Sequence, residues 1–355
     1  MNTPIIDFVT EYSQKQSVRL HMPGHKGKSF LGFEAFDITE INGADSLYDA
    51  KGIIKQSEEN ASKLFECNTF YSTEGSSQCI RAMLYLALQG RKNSLIIAGR
   101  NAHKTFISAA SLLDFKIKWI YSKENYLTCN IDFSDIENSI LECEEKPAAI
   151  YLTSPDYLGN ILDIEKISMV CKKYGILLLV DNAHGAYLKF LGLHPMDLGA
   201  DMCCDSAHKT FPCLTGGAYL HISKSSHKSF PKNAKDALAL FGSTSPSYLI
   251  LQSLDFVNKY ISEGYSDLLS QYWKKIEEFK KTLTNKGFSL VGNEPLKITI
   301  SAKNYGYTGK EIADFLEKQN IYPEFYDDDF VVFMFTPEVE NLDVIKNALF
   351  SLEQK

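Results

Sequence analysis

The sequence predicts an α/β protein with a mainly parallel central sheet, helices on both of its faces, and a small α+β C-terminal domain. Three observations predict it. Between about residues 55 and 240, short apolar runs alternate with stretches of helical periodicity, the signature of strands joined by crossover helices. A long helical stretch follows, with Leu254, Val257, Tyr260 and Ile261 at helical spacing. Beyond residue 288 the pattern alternates again in shorter pieces.

Taken in order, residues 1–35 read as an N-terminal arm with a short starting helix and the Pro-Gly-His-Lys-Gly stretch at 23–27. Residues 36–245 form the large domain. Its strands are expected at 94–98, 117–121, 148–152, 176–180, 202–204 and 218–222, with helices between them, for example 77–89 and 164–174. Pro231 and the region 242–246 look like a hinge. Residues 246–355 form the small domain. It opens with one long helix or a broken pair over 249–285, then strands at 289–291, 297–301 and 330–335 and helices at 310–319 and 342–352.

The chain has 355 residues, 45% hydrophobic and 23% charged, with a net charge of −7. It carries no basic stripe, so a nucleic-acid partner is not expected. Its apolar runs are too short to span a bilayer, so no membrane role is expected. The polar N-terminus is unlike a signal peptide, which places the protein in the cytoplasm. Its eight cysteines, Cys67, Cys79, Cys129, Cys143, Cys171, Cys203, Cys204 and Cys213, include no CxxC pair. Neither a metal site nor disulfides are expected.

In open α/β sheets, ligands bind where strands end at their carboxyl edge, and four strings sit at such places. Thr73-Glu-Gly-Ser-Ser-Gln78 opens a helix whose free N–H groups at Gly75, Ser76 and Ser77 suit a phosphate. The plainer reading is an ordinary Ser N-cap. Asp181, in Val180-Asp-Asn-Ala-His184, follows the most apolar strand and offers a buried carboxylate; otherwise it caps the next helix. Lys209, in Asp205-Ser-Ala-His-Lys-Thr210, follows another strand. A lysine there is costly unless its charge is lost, as in a Schiff base, and Ser206 and His208 are near enough to reach a phosphate. The plainer reading is a surface lysine. His103, after 94–98, can stack on a ring, although a lone histidine is more often structural. Phosphate cradle, buried acid, imidazole lid and amine are together what a pyridoxal 5′-phosphate (PLP) site requires.

Those residues resemble a known family. The strings Leu20-His-Met-Pro-Gly-His-Lys-Gly27, Arg100-Asn-Ala-His-Lys-Thr105, Thr153-Ser-Pro-Asp-Tyr-Leu-Gly159, Asp181-Asn-Ala-His-Gly-Ala186, Ser206-Ala-His-Lys-Thr210 and Ser243-Thr-Ser-Pro-Ser-Tyr248 are similar to the ornithine/lysine/arginine decarboxylases. These are fold-type-I, aminotransferase-like PLP enzymes, and the resemblance covers roughly residues 18–340. It implies that Lys209 holds the cofactor, Asp181 pairs its ring nitrogen, and His103 stacks on the ring. Gly75, Ser76, Ser77, Ser206 and His208 would surround the phosphate, with His184 at the phenolic edge. It also implies a homodimer or higher assembly with a shared active site, Ser243 and Thr244 reaching the neighbour's phosphate. Family members commonly read Asp-Glu-Ala-His-Gly-Ala-His; here Asn182 and Tyr187 replace the Glu and the last His, and Asp205 stands where a Gln is usual. The chain reads as a short form, without the family's extra C-terminal domain.

The reaction implied is PLP-dependent decarboxylation of a basic amino acid (lysine, ornithine or arginine), a carboxy-lyase activity, with His208 or Lys209 returning the proton. One compositional fact bears on this. The arginines are Arg19, Arg81, Arg91 and Arg100, so 101–355 has none to supply the bidentate carboxylate clamp that aminotransferases place in the small domain. For the substrate's far end, Glu324 in Pro323-Glu-Phe-Tyr-Asp-Asp-Asp329 is the best acidic candidate, with Asp45 a further one; Asp327, Asp328 and Asp329 read as a solvated turn. The alternatives are another PLP reaction, by an aminotransferase or a different lyase, and a PLP-binding protein without turnover.

Overall fold

A computed structural model describes residues 1–122, 127–128 and 130–355; Cys129 lies outside the described residues. The chain divides into two units. The larger takes in Met1–Ser122, Ile131–Ser154 and Asp163–Tyr265, and the smaller includes Pro155–Leu162 and Ser266–Lys355. The division therefore falls about twenty residues later than the expected 245/246 boundary.

The large unit is built on a seven-stranded sheet among the described residues. Its strands are β1 (Asn68–Ser72), β2 (Leu95–Gly99), β3 (Lys116–Ile120), β4 (Ala149–Thr153), β5 (Leu177–Asp181), β6 (Met202–Asp205) and β7 (Ala218–Ile222), in the order β1-β7-β6-β5-β4-β2-β3. Strands β3, β2, β4, β5 and β6 run parallel. Strand β7 is antiparallel to both of its neighbours, β6 and β1. The register sets Thr153 beside Asp181 and Asp181 beside Cys204, and Asp205 faces Tyr219 across the turn of direction. Acid and lysine loop thus emerge at one edge.

Helices cover the sheet: α1 (Pro4–Gln14), α2 (Ile53–Leu64), α3 (Gly75–Leu88), α4 (Lys104–Leu113), α5 (Phe133–Leu141), α6 (Ile164–Tyr174), α7 (Ala207–Thr210), α8 (Ser229–Ala239) and α9 (Tyr248–Ser262). Alternate strand residues point to opposite faces. Tyr151, Leu179, Met202, Cys204 and Leu220 pack with Ile80 and Met83 of α3 and Phe106 of α4 in one core. Helix α6 runs from Asp163, whose side chain accepts from the Lys166 amide, to Gly175 in the left-handed conformation, a start and stop that local chemistry dictates.

One expectation changes, that of Pro231, and two become definite. The arm is not free at its start: α1 buries Ile5 and Val9, and its Ile5 and Ile6 amides donate to Asp255 of α9. Pro231 is not in a hinge but in the first turn of α8, where its missing N–H costs nothing. The long helix is a pair. Helix α9 ends before Gly264, whose φ of +95° breaks the run, and α10 (Tyr265–Lys286) begins anew.

The small unit has a four-stranded antiparallel sheet of β8 (Ser289–Val291), β9 (Lys297–Ser301), β10 (Phe325–Tyr326) and β11 (Phe330–Met334), ordered β10-β11-β9-β8. With it are α11 (Gly309–Glu317) and α12 (Leu342–Phe350).

Candidate active site

The cradle lies between β1 and α3. Gly75 adopts φ +69°, a conformation costly for residues with a Cβ, and a Cβ built there would meet nothing within 4 Å. The Gly75 amide, expected to face a phosphate, instead donates to the Gly216 carbonyl at 2.8 Å; Glu74, at the N-cap, makes no side-chain capping bond, so the amides that follow Gly75 in the first turn keep their affinity for an anion. Just ahead, the hydroxyl of Thr73 is buried without a hydrogen-bond partner. Ser77 Oγ is 3.0 Å from Thr105 Oγ1, which lies 2.9 Å from His103 Nδ1. Sequence reasoning missed both threonines, and no local signal marks them.

His103 is the N-cap of α4. Its Nδ1 accepts from the Thr105 amide at 3.3 Å, which leaves the ring proton on Nε2. His103 is an exposed residue whose ring is partly buried and close enough to Asp181 and Lys209 for their charges to act on it; that burial and Lys209 lower its pKa while Asp181 raises it, and the net shift is downward.

Asp181 ends β5 and is 2% exposed. The Tyr151 hydroxyl donates to it at 3.1 Å and the Ala183 amide at 3.2 Å. Burial pushes its carboxyl above the usual range, against the pull of Tyr151, His103 and Lys209. A cation brought to this carboxylate therefore relieves an unfavourable burial. Tyr151 points inward from mid-β4, so nothing in its sequence neighbourhood announces the role.

Lys209 sits on the single turn α7 after β6, its Nζ 2.9 Å from His184 Nε2. In His208 the backbone N–H donates to the Gly217 carbonyl at 3.2 Å and Nδ1 donates to the same oxygen at 2.9 Å. Burial lowers this imidazole's pKa. The neutral ring so fixed presents Nε2 as an acceptor, which suits proton transfer and not the expected contact with a phosphate oxygen. Ser206 is buried, and the buried Thr210 hydroxyl has no partner.

Two of the three departures from the family pattern prove to be one contact: Asn182 Nδ2 donates to Asp205 Oδ1 at 2.7 Å. The other oxygen of Asp205 accepts from His194 and His221 at 3.0 and 3.1 Å.

The remaining candidates divide. Ser243 and Thr244 are exposed in the loop between α8 and α9. Asp45, expected at a substrate entrance, has a backbone task instead. Its carboxylate accepts from the amides of Lys51, Gly52 and Ile54 at 2.7 to 3.2 Å, holding the start of α2, so it has no lone pairs to spare for a ligand. In the small unit, Glu324 precedes β10, is exposed, and receives the Tyr157 hydroxyl at 3.4 Å. It borders a cavity of about 280 Å³ lined by Tyr322, Phe333 and Phe335. Asp327 closes the β10–β11 turn by accepting from Asp329 and Phe330 amides, and Asp329 pairs with Lys303, as expected of a solvated turn.

The residues fit PLP. A buried acid lacks a full counter-charge, an uncapped helix start has open space beside it, two buried hydroxyls have no partner, and a lysine lies where its charge reaches the acid. A mixed sheet of this order is the fold of the fold-type-I PLP enzymes. The chain belongs to the Orn/Lys/Arg decarboxylase family, whose major-domain model matches residues 3–299. It is 30% identical to an uncharacterised Bacillus subtilis protein, YaaO, over 94% of this chain and 73% of that one. It is 29% identical to the arginine decarboxylase of Bacillus subtilis over 99% and 78%. Among solved structures, it superposes on lysine decarboxylase A from Pseudomonas aeruginosa with a TM-score of 0.79 at 17% identity, covering 98% of this chain. The Francisella novicida lysine decarboxylase gives a TM-score of 0.75 at 18% identity, also over 98% of this chain. The chain spans 59% of each of those two solved chains. Among the described residues, no helix is long and apolar enough to cross a membrane.

Proposed function

We propose that the chain holds PLP on Lys209 and decarboxylates a basic amino acid to the corresponding amine. The observation that carries the reading is the meeting of Lys209, the buried Asp181 and His103 at one sheet edge. When bound, PLP supplies an aldehyde for an amino group and a ring that accepts the electron pair released as CO2 departs. Lys209 Nζ would hold the aldehyde, and Asp181 would keep a proton at the ring nitrogen. His103 would cover the ring. The α3 amides that follow Gly75 and the hydroxyls of Ser76, Ser77, Thr73 and Ser206 would hold the phosphate. His208 Nε2, unprotonated in its neutral tautomer, relays a proton with Lys209, so that one proton is consumed for each CO2 lost.

Decarboxylation is favoured over transamination by the arginines. All four lie within the first 100 residues. Arg19 donates to Ala35, Arg81 to Ser108 and Arg91 to Ala87, and Arg100 stacks on Trp119. A substrate carboxylate without a guanidinium fork is less strongly held in the ring plane and is freer to leave. Glu324 is the acid proposed for the distal ammonium or guanidinium.

The working unit is proposed to be a homodimer. Val18, Leu20, Phe30 and Leu31 stand 74–89% exposed on the arm, a density of apolar surface that a lone subunit rarely shows, and Ser243 and Thr244 are open for a neighbour's phosphate.

The test is release of CO2 from lysine, ornithine or arginine by purified protein with PLP, abolished in Lys209→Ala. A keto-acid product would favour transamination instead, and a Lys209-dependent chromophore without any product would leave a binder.

A further inference from the structure

We propose that Asn182 and Asp205 form a positioning clamp that sets the separation between Asp181 and Lys209. The proposal rests on the reading that these two residues grip opposite ends of one cofactor. Asn182 directly follows the acid, and Asp205 is the last residue of β6, four before the lysine. The two are fully buried, and the tie is double. The Asn182 side-chain amide donates to Asp205 Oδ1 at 2.7 Å, and its backbone N–H donates to the Cys204 carbonyl at 3.0 Å. The parallel pairing of β5 with β6 ends here, at Asp181 opposite Cys204, so these bonds join the strands at the edge where the two functional groups depart.

Asp205 is itself anchored from three sides. Beyond Asn182, its Oδ2 accepts from His194 Nε2 and from His221 Nε2 on β7. Although His194, Asp205 and His221 bring ligand-type atoms within 4.8 Å of one another, the protons argue against a metal. The Met196 amide donates to His194 Nδ1 at 3.3 Å, so that ring carries its proton on Nε2 and gives Asp205 a hydrogen bond, not a lone pair for an ion. Amide orientation is settled by the same logic: a flipped Asn182 would set its oxygen against the carboxylate. The orientation found leaves Asn182 Oδ1 buried without a partner, a cost retained because the opposite end must meet Asp205. The other titratable groups facing the cluster are Cys67, which with Thr69 meets His221 Nδ1, and the buried Cys79, Cys203 and Tyr219; burial holds the last three protonated. None competes with the histidines for the Asp205 carboxylate.

Both residues act through others, so the readout must report on the cofactor ends. Asn182→Ala removes the side-chain tie and leaves the Asp205–histidine charges in place. In the full-length protein loaded with PLP, it is expected to weaken PLP binding roughly tenfold or more, as small displacements of reacting groups do, and to shift the pH midpoint of the Lys209-linked chromophore, while the apo protein unfolds within a few degrees of wild type. The double exchange Asn182→Asp/Asp205→Asn rebuilds the contact with donor and acceptor reversed. It is expected to recover affinity and midpoint but to melt lower, because the imidazoles lose their anion. Wild-type affinity and midpoint in Asn182→Ala would overturn the clamp alone. A wild-type protein without a Lys209-dependent chromophore would overturn the cofactor reading and the clamp with it. If the double exchange does not fold, Asn182→Ala decides.

Discussion

The amine of Lys209 and Nε2 of His184 lie 2.9 Å apart, with His184 only three residues beyond the acid Asp181. The imidazole is thus in hydrogen-bond reach of the amine, and on the proposed reading it would orient that amine toward the cofactor's aldehyde. Replacing it, as in His184→Ala, should slow formation of the Lys209-linked chromophore from apo protein and PLP by about tenfold, the usual scale for a lost orienting hydrogen bond of about 1.4 kcal/mol. Stopped-flow absorbance gives the rate; an unchanged rate would assign the histidine to packing.

Asp181→Asn keeps the shape and removes the charge. The Tyr151 hydroxyl still has an oxygen to donate to, so folding is expected to survive. PLP should still attach to Lys209, but CO2 release should fall by roughly three orders of magnitude, about 4 kcal/mol of lost transition-state stabilisation. Spectra and turnover measured on the same sample separate attachment from chemistry. Parallel loss of both would indicate misfolding instead.

Asp45 and Glu324 should behave in opposite ways. Asp45→Ala strands the amides that start α2 and should cost about 1–3 kcal/mol of stability, with the KM of the folded fraction unchanged. Glu324→Gln removes an exposed carboxylate and should leave the melting temperature alone while raising KM for a basic substrate by at least about tenfold. Thermal scans and steady-state kinetics on the two variants read this directly, and a normal KM in Glu324→Gln would remove that residue from the substrate site.

The His194–Asp205–His221 cluster should set a pH window. Burial pulls the His221 imidazole down, but Cys67 and Asp205 outweigh it and raise its pKa to about 10. The folded chain thus holds that proton more tightly than the unfolded one. The stability gained is complete below an ordinary histidine pKa of about 6.5 and is lost as pH rises through about 10. Burial opposes ionisation of Asp205, yet the two histidines depress its carboxyl below the usual range, so its contribution is complete above about pH 4 and is lost in stronger acid. Melting temperature should be flat between about pH 4.5 and about pH 6, decline from about pH 6.5 upward and again in strong acid, and Asp205→Asn should lower the plateau and flatten both limbs. A variant with wild-type slopes would show the titrating groups to lie elsewhere.

Much of this was legible in the letters, for physical reasons. Central strands buried on both faces show as unbroken apolar runs, and Ala218–Ile222 and Ile164–Tyr174 match their expected limits. Asp181 and Lys209 stand out in the letters because each follows such a run. Strand β1, Asn-Thr-Phe-Tyr-Ser, was not, since its pairing with β7 rather than its composition makes it a strand. Asp45 looked like a free acid because its cap reaches six to nine residues forward, beyond any short-range capping pattern. The Asn182 and Asp205 departures were visible, but they lie 23 residues apart and only the sheet register joins them.

Strand β7, which alone runs against the grain, decides how the lysine is carried. Because Asp205 ends β6 beside the start of β7, residues 206–217 leave and return at one rim, whereas the parallel strands are joined by excursions to the far side. The lysine rides a short stirrup fastened at both feet and laced across by His208 to Gly217. On the proposed reading, a stirrup tied in this way would keep its shape with or without the cofactor, so that reloading would not require the sheet around it to reorganise.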